Sequence, residues 1–484
     1  MSREYVVVIG LEVHVQLKTN SKLFCGCSTS FGAEQNTHTC PVCLGLPGVL
    51  PVANRKAVEL AMLAALALKC EVQKYAKFDR KHYFYPDLPK NYQTSQKDNP
   101  FSLKGSLEIL VEGQKRVIGV TRAHLEEDAG KLVHLSAGGQ IGTAEESLVD
   151  LNRTGIPLLE IVSEPDLRSP LEAYEYLVAL KSILQYIGVS DCNMEEGTLR
   201  CDANISLMEK GATKFGEKIE IKNLNSFKNV QKALEYEVGR QTLALENGEK
   251  LYQETRLFNA EEGITYNMRS KEEAHDYRYF PEPDLVPFTV TDEMINELRK
   301  QLVELPAARK ARFISEYGLP EYDAGVLTAA KDTADYFETC VKLYNKPKAL
   351  SNLVMVDLGA LLKEAKLEIK DSPVKPENIV KLVKLVEEAV ISSKISKTVI
   401  AEMFKTGKDP EVIVKEKGLV QITDEGAITV AVDAVIAANP KVVADFKGGN
   451  ERAIGSLVGQ VMKATGGKAN PQIVNKLLKE RLAK

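Results

Sequence analysis

Hydrophobic and polar residues change their rhythm twice along the chain. Up to about residue 290, short runs rich in valine, isoleucine and leucine alternate with polar turns, the pattern of half-buried strands. Residues 6–9, 107–111 and 116–120 predict strands, and Glu112-Gly113 between the last two predicts a tight hairpin turn. In Gly10-Leu-Glu-Val-His-Val-Gln-Leu17 the alternation is strict. A strand there sets Leu11, Val13 and Val15 on one face and Glu12 with His14 on the other. Helices interrupt this pattern. Asn54 caps a stretch over 55–68 whose continuous apolar character predicts burial. Ser169-Pro170 supplies a cap and a first-turn proline for a helix running to Gly188, and Ser226 and Gly248 bracket a third through Glu237. The mixture predicts an α+β domain whose sheet is at least partly antiparallel.

After Pro281-Glu-Pro-Asp284 the period becomes helical, over 292–302, 306–317, 329–343 and 350–364. Pro373 and Pro376 interrupt it before 378–390 resumes. This reads as a helical connector. From about residue 396, short helices with glycine stops follow at 398–404, 429–438, 452–465 and 471–482, the look of a small all-helical module. The expected division is therefore 1–292, 293–395 and 396–484. The turns Lys447-Gly-Gly-Asn450 and Gly466-Gly-Lys468 read first as helix ends and second as backbone contacts to a ligand.

At 484 residues with 44% hydrophobic and 27% charged positions, the chain is a folded protein of two or three domains with room for an enzyme. A formal charge of -4 excludes indiscriminate adhesion to nucleic acid. Residues 447–484 nevertheless hold eight Lys or Arg against Glu451 and Glu480, a net of +6 that suits either a phosphate backbone or a solvated helical face. The N-terminus shows neither a basic leader with a cleavage pattern nor a long apolar segment, so a cytoplasmic protein is expected, with no membrane partner.

Cys25, Cys27, Cys40 and Cys43 form two close pairs separated by a loop, a spacing that can converge on one tetrahedral zinc and pin residues 24–48. Free thiols are the competing reading. Glu12 and His14, side by side, can bind a divalent ion or simply hydrogen-bond to each other. Glu126, Glu127 and Asp128 follow His124, and Glu160 sits between Leu159 and Ile161, where a carboxylate needs a partner or a metal. Met194-Glu-Glu-Gly-Thr-Leu-Arg-Cys-Asp202 adds Glu195, Glu196, Arg200 and Asp202. Hard oxygen ligands with nearby cations suit magnesium-assisted phosphoryl transfer, although a surface ion-pair network accounts for any one of them. The loop Arg80-Lys-His-Tyr-Phe-Tyr-Pro-Asp-Leu-Pro-Lys-Asn-Tyr-Gln-Thr-Ser95 mixes cationic, phenolic and amide groups around two prolines, and reads equally as a pocket wall or an anchored surface loop. The sequence has no Gly-x-x-x-x-Gly-Lys phosphate loop and no dinucleotide fingerprint.

Gly10-Leu-Glu-Val-His-Val, Lys81-His-Tyr-Phe-Tyr-Pro-Asp-Leu-Pro-Lys-Asn-Tyr, Leu151-Asn-Arg-Thr-Gly, Glu195-Glu-Gly-Thr-Leu-Arg-Cys-Asp and Asp276-Tyr-Arg-Tyr-Phe-Pro-Glu-Pro-Asp284 follow one another in order. Together they resemble the B subunits of bacterial and organellar-type aspartyl/glutamyl-tRNA amidotransferases, over essentially the whole chain. The resemblance implies an N-terminal cradle related to the glutamine synthetase catalytic fold, a helical connector and a tail that touches tRNA. It implies a heterotrimer, in which a glutaminase (amidase) A subunit releases ammonia and the assembly is braced by a small C subunit. The B subunit activates the carboxylate of Glu-tRNA(Gln) with ATP, leaving Asp-tRNA(Asn) open as a second substrate.

By the same resemblance, Glu12, His14, Glu127, Glu160 and Asp202 form the metal-binding group, with Glu126, Glu196 and Arg200 as neighbours. Glu127, Glu160, Glu196, Arg200 and Asp202 face ATP, and Lys81, Tyr83 and Lys90 lie where ammonia enters. The cofactors implied are ATP, Mg2+ and, at the four cysteines, Zn2+. Residues 135–145 read as an elaborated hairpin without an assigned purpose. A non-catalytic tRNA-binding scaffold and an independent ligase for free amino acids are the alternatives. The long helical tail argues against the second.

Overall fold

The computed structural model describes residues 4–135, 146–270, 277–421, 424–448, 450 and 452–482. The chain forms two compact units, Met1–Leu305 and Pro306–Lys484. Most of the hairpin expected over 135–145 lies outside the described residues, as do Asp276, Gly449 and Glu451. The strands Lys131–Leu135 and Glu146–Asp150 on either side of that hairpin pair antiparallel.

The first unit is built on a nine-stranded sheet. Its strands are β1 (Tyr5–Gln16), β2 (Glu71–Val72), β3 (Ser102–Val111), β4 (Gln114–Glu127), β5 (Pro157–Ser163), β6 (Leu199–Glu209), β7 (Ile219–Lys222), β8 (Glu254–Asn259) and β9 (Ile264–Ser270). They lie in the order β9-β8-β7-β6-β1-β5-β4-β3-β2, antiparallel throughout except for β7 beside β8. This is the mixed sheet of an α+β fold. β3 and β4 are joined by Glu112 (φ 48°) and Gly113 (φ 80°), the two left-handed residues of a tight hairpin turn.

The helices begin where their caps are. Asn54 Oδ1 accepts from Lys56 N at the start of α1 (Arg55–Ala67). Ser169 Oγ accepts from Glu172 N at the start of α2 (Pro170–Tyr186), and Ser226 Oγ from Asn229 N at the start of α3 (Phe227–Glu246). α2 packs on α3 and β3, and α3 on β6. Leu177 and Leu180 of α2 and Leu234 of α3 share one core with Leu11, Val13 and Val15 of β1. Each of these buried side chains contributes about 1.5–3 kcal/mol. The helices thus claim the apolar face of β1 and leave Glu12, His14 and Gln16, all half-buried, on the other.

In the second unit the expected helices occur at Pro306–Tyr317, Lys331–Leu343, Pro376–Glu387, Ser393–Thr406, Glu425–Ala438, Ala453–Ala464 and Pro471–Leu482. Glu321–Thr328, Pro410–Glu416 and Pro440–Lys447 are further helices that the periodicity does not reveal. The helix expected over 350–364 is divided: Pro347–Asn352 runs into a π-helical turn at Leu353–Leu358, then into Gly359–Ala365, which Lys366 ends at φ 55°. One core gathers Phe313, Phe337, Leu382 and Val399 and extends to Val414; another gathers Ile428, Leu457 and Leu478. Gly448 and the pair Gly466-Gly467 close helices. Among the described residues no single helix is long and apolar enough to cross a membrane.

Candidate active site

Cross-strand register assembles the polar face of the sheet. His14 on β1 stands opposite Arg200 on β6 and Glu160 on β5, and Glu160 stands opposite His124 on β4. One row therefore reads Arg200, His14, Glu160, His124. Two residues along β1, Glu12 stands opposite Asp202. The pleat puts both rows on the same face.

His14 Nε2 lies 3.6 Å from Glu160 Oε2. His124 Nε2 lies 3.4 Å from the same oxygen and 3.3 Å from Glu126 Oε1. Glu126 also accepts from Gln93 Nε2 at 2.9 Å and Ser95 Oγ at 2.5 Å, both on the strand Tyr92–Ser95 that covers the end of β4. Burial works against the charge of each carboxylate, yet both are held below the usual range. For Glu126 the His124 bond and the positive field of Lys81 prevail. For Glu160, repulsion by Glu126 is added to burial, but His124 and His14 outweigh both. His14 is raised: burial disfavours its imidazolium, and the bond and charge of Glu160 overcome it.

The remaining acids each have a partner of their own. Glu127 is bonded to Lys90 and accepts from Thr94 N at 2.8 Å. Asp128, fully desolvated, accepts from Gln16 Nε2 at 2.7 Å and Arg200 Nη2 at 2.8 Å, with Arg153 Nε at 3.7 Å. Burial would raise its pKa, but Arg200 and Arg153 lower it. Asp202 pairs with Lys222 at 2.8 Å, and Glu12 accepts from Asn204 Nδ2 at 2.9 Å. Lys81 Nζ stands 5.1 Å from the Tyr277 ring centre and 5.8 Å from that of Tyr83. Burial opposes its charge, but Glu126, Tyr279 and Glu160 raise its pKa. Tyr83 OH donates to Gln93 Oε1 at 3.3 Å. Glu196 is exposed and lines, with Gln16, Arg153 and Arg200, a cleft of about 700 Å³.

Donor atoms of His14, Glu126 and Glu160 lie within 4.8 Å of one another, a mixed nitrogen and oxygen set that fits a divalent cation. One buried atom within the row lacks a partner, His124 Nδ1. Glu12, Glu127 and Asp202 stand outside that group, each engaged as described. Sequence reasoning gives no role to His124 or Lys222, counts Asp128 only among the hard oxygen ligands, and reads Gln93 and Ser95 only as part of a polar loop that lines a pocket or anchors at the surface. A signal for His124 exists, since period two places it with Glu126, opposite the buried Leu125.

The four cysteines form the second group, their sulfurs also within 4.8 Å of one another. Cys43 Sγ lies 3.9 Å from Cys40 Sγ and accepts from Cys40 N at 3.2 Å. The Cys25 bond carries Cys43 down to about 4, against burial and with help from Cys40 N and Lys22. Burial, then Cys40, push Cys27 up to about 11. Four sulfurs so placed fit a tetrahedral zinc.

Buried acids and imidazoles share one sheet face with Arg200, which lines the cleft, an arrangement that suits the catalytic domain of an α+β enzyme. Residues 7–296 match the family described as the GatB/GatE catalytic domain, and residues 335–482 match the GatB domain. The chain is 60% identical over 482 residues to the B subunit of the aspartyl/glutamyl-tRNA(Asn/Gln) amidotransferase of Carboxydothermus hydrogenoformans, covering 100% of both chains. It is 58% identical to proteins of the same name from Thermoanaerobacter sp. (strain X514) and Moorella thermoacetica, covering 99% of this chain and 100% of theirs. The chain belongs to the GatB family of amidotransferase subunits.

Proposed function

We propose that this chain activates the side-chain carboxylate of Glu-tRNA(Gln) with ATP and presents it to ammonia, beside a glutaminase A subunit and a small C subunit in the cytoplasm. The relatives are named for both tRNA(Asn) and tRNA(Gln), and the same chemistry on Asp-tRNA(Asn) yields Asn-tRNA(Asn). The observation that carries this reading is the gathering of His14, Glu126 and Glu160 into one ligand group beside Arg200 and Lys81.

His14 and Glu160, with Glu12, Glu127 and Asp202 from the family's set, would hold magnesium, and the neighbouring Glu126, which groups with His14 and Glu160, would join them. Magnesium bound there supplies positive charge against the ATP phosphates. A glutamyl carboxylate oxygen bonds to the γ-phosphorus as the bond to ADP breaks, giving an acyl phosphate. Arg200, with Glu196 at the cleft, borders the nucleotide and offsets the growing negative charge. Ammonia arriving past Lys81, Tyr83 and Lys90 bonds to the acyl carbon, phosphate leaves, and a proton is lost to give the amide. Lys81 is kept charged by its neighbours, so it orients and cannot serve as the base. Zinc at the four cysteines pins residues 24–48. The division 1–292, 293–395 and 396–484 assigns tRNA contact to the tail, which the net charge of +6 over 447–484 supports.

The test is ATP-dependent amidation by the purified complex, offered Glu-tRNA(Gln), Asp-tRNA(Asn) and free glutamate in parallel. Amide is expected on tRNA-linked substrate. Equal amidation of free glutamate would favour an independent ligase, and tRNA binding without ATP turnover would favour a scaffold.

A further inference from the structure

Lys22 is 1% exposed, yet among the described residues no carboxylate comes within 4.0 Å of its Nζ. Its ammonium instead donates to His38 O at 2.7 Å, Leu151 O at 3.3 Å and Cys43 Sγ at 3.6 Å. An ammonium withdrawn from water is costly unless an opposite charge faces it, and two carbonyl dipoles do not supply one. The sulfur cluster does, because four thiolates around a dication leave two negative charges unbalanced.

The loop that Lys22 reaches is the motif Leu151-Asn-Arg-Thr-Gly155, which the amidation chemistry leaves without a role. Asn152 Oδ1 accepts from His38 N at 2.7 Å, and Asn152 Nδ2 donates to Glu34 O at 2.7 Å, both in the cysteine loop. Gly155, at φ +81°, passes beside both residues, where an added Cβ would lie at ordinary contact distance, 3.6 Å from Cys43 Cβ and 3.7 Å from Lys22 Cδ. The other side of the loop holds the catalytic strand: Gly155 N donates to Asp128 O at 2.8 Å, and Arg153 donates to Ala129 O at 2.9 Å and Gly130 O at 2.6 Å.

We infer that Lys22 is a positioning residue that balances the charge of the metal-loaded cysteine cluster and straps it, through Leu151, to the strand end bearing Glu127 and Asp128. The inference rests on the reading of the cluster as a zinc site. Outer partners of metal ligands set affinity as well as orientation, and losing one typically costs about 10–100-fold in metal affinity.

The experiment measures zinc content and zinc affinity, by competition with a chromogenic chelator, on the full chain assembled with its partner subunits. Lys22→Met keeps the stem and removes the charge, and its affinity should fall by about 10–100-fold. Asn36→Ala is the control. It cuts the bonds of Asn36 with Leu151 N (2.8 Å) and Val149 O (3.0 Å), loosening the same strap without touching sulfur. Its affinity should stay close to wild type. Equal losses in the two variants, or wild-type affinity in Lys22→Met, overturn the charge-balancing role while leaving zinc in place. Wild-type protein without zinc sinks the cluster reading itself, a separate outcome. If Lys22→Met does not fold, amine acylation of wild type followed by mass spectrometry decides: Lys22 should be protected with zinc bound and modified after chelation. Protection that persists after chelation overturns the proposal.

Discussion

His14 Nε2 and Glu160 Oε2 lie 3.6 Å apart because the two residues are register partners on adjacent antiparallel strands. A slip of one residue in β5 would turn Glu160 toward the core and bring Leu159 or Ile161, both fully buried, to the polar face. The apolar residues that flank Glu160 therefore hold a charged group on the polar face beside His14. Fold and chemistry share one constraint here.

Glu126→Gln and Glu160→Gln preserve shape and remove charge. Amidation of Glu-tRNA(Gln) should fall on the order of 10²–10³-fold, the loss typical when a group stabilising transition-state charge is removed. Glutaminase activity of the same complex should remain measurable. Normal amidation by both variants would show that the ligand group is assigned wrongly.

Gly45 lies against Lys90, the partner of Glu127. At φ +65°, a Cβ there would stand 2.4 Å from Lys90 Cγ and 3.3 Å from its Cα. Gly45→Ala should displace Lys90 from Glu127 and add about 1–2 kcal/mol of backbone strain. Gly48, at φ +89° with nothing within 4 Å of its Cβ position, supplies the strain alone. Melting temperature should fall in both alanine variants and further in Gly45→Ala, which also separates the buried Lys90–Glu127 pair, and amidation should fall mainly in Gly45→Ala. Equal amidation in both would detach Lys90 from the chemistry.

Arg200→Met leaves buried Asp128 with Gln16 and a more distant Arg153. Breaking a fully buried pair costs about 3–5 kcal/mol. Arg200 is 35% exposed, so solvent screening reduces the expected loss to roughly 1–3 kcal/mol. Denaturant unfolding of the chain reads it, and an unchanged midpoint would contradict the pairing.

Glu338 in the second unit accepts from Arg309, from Arg312 Nη1 at 2.7 Å and from Tyr317 OH at 3.1 Å. Burial works against its charge, but Arg312 and Arg309 prevail and lower it from 4.5 to about 2. A carboxyl depressed in the folded state contributes stability that is complete above about pH 4.5 and is lost as pH falls toward 2. Acid unfolding followed by circular dichroism should show a shallower loss across this window for Glu338→Gln than for wild type. Equal slopes would count against the ion pair.

What the sequence makes legible is set by near neighbours. Asn54, Ser169 and Ser226 announce their helices because a cap acts two or three residues away, and Glu12 and His14 share a face because a pleat repeats every two. The sulfur cluster follows from spacing within one loop. Gln93 and Ser95 reach Glu126 from a strand of a separate sheet far away in sequence, which periodicity does not encode, whereas period two already sets His124 on the face of Glu126. Lys22 carries no signal in the sequence, and only the fold buries it. The π-helical turn at Leu353–Leu358 escapes because the apolar pattern runs through it unbroken.

The central claim is that the gathered acids serve phosphoryl transfer to the glutamyl carboxylate. Glu-tRNA(Gln) carrying isotopically heavy oxygen in that carboxylate tests it, with ATP, glutamine and the purified complex, by mass spectrometry of the phosphate released. Wild type should place one heavy oxygen in phosphate for each amide formed, and Glu160→Gln should place none above background. Amide formed with unlabelled phosphate, or label transfer by Glu160→Gln at the wild-type rate, would contradict the account.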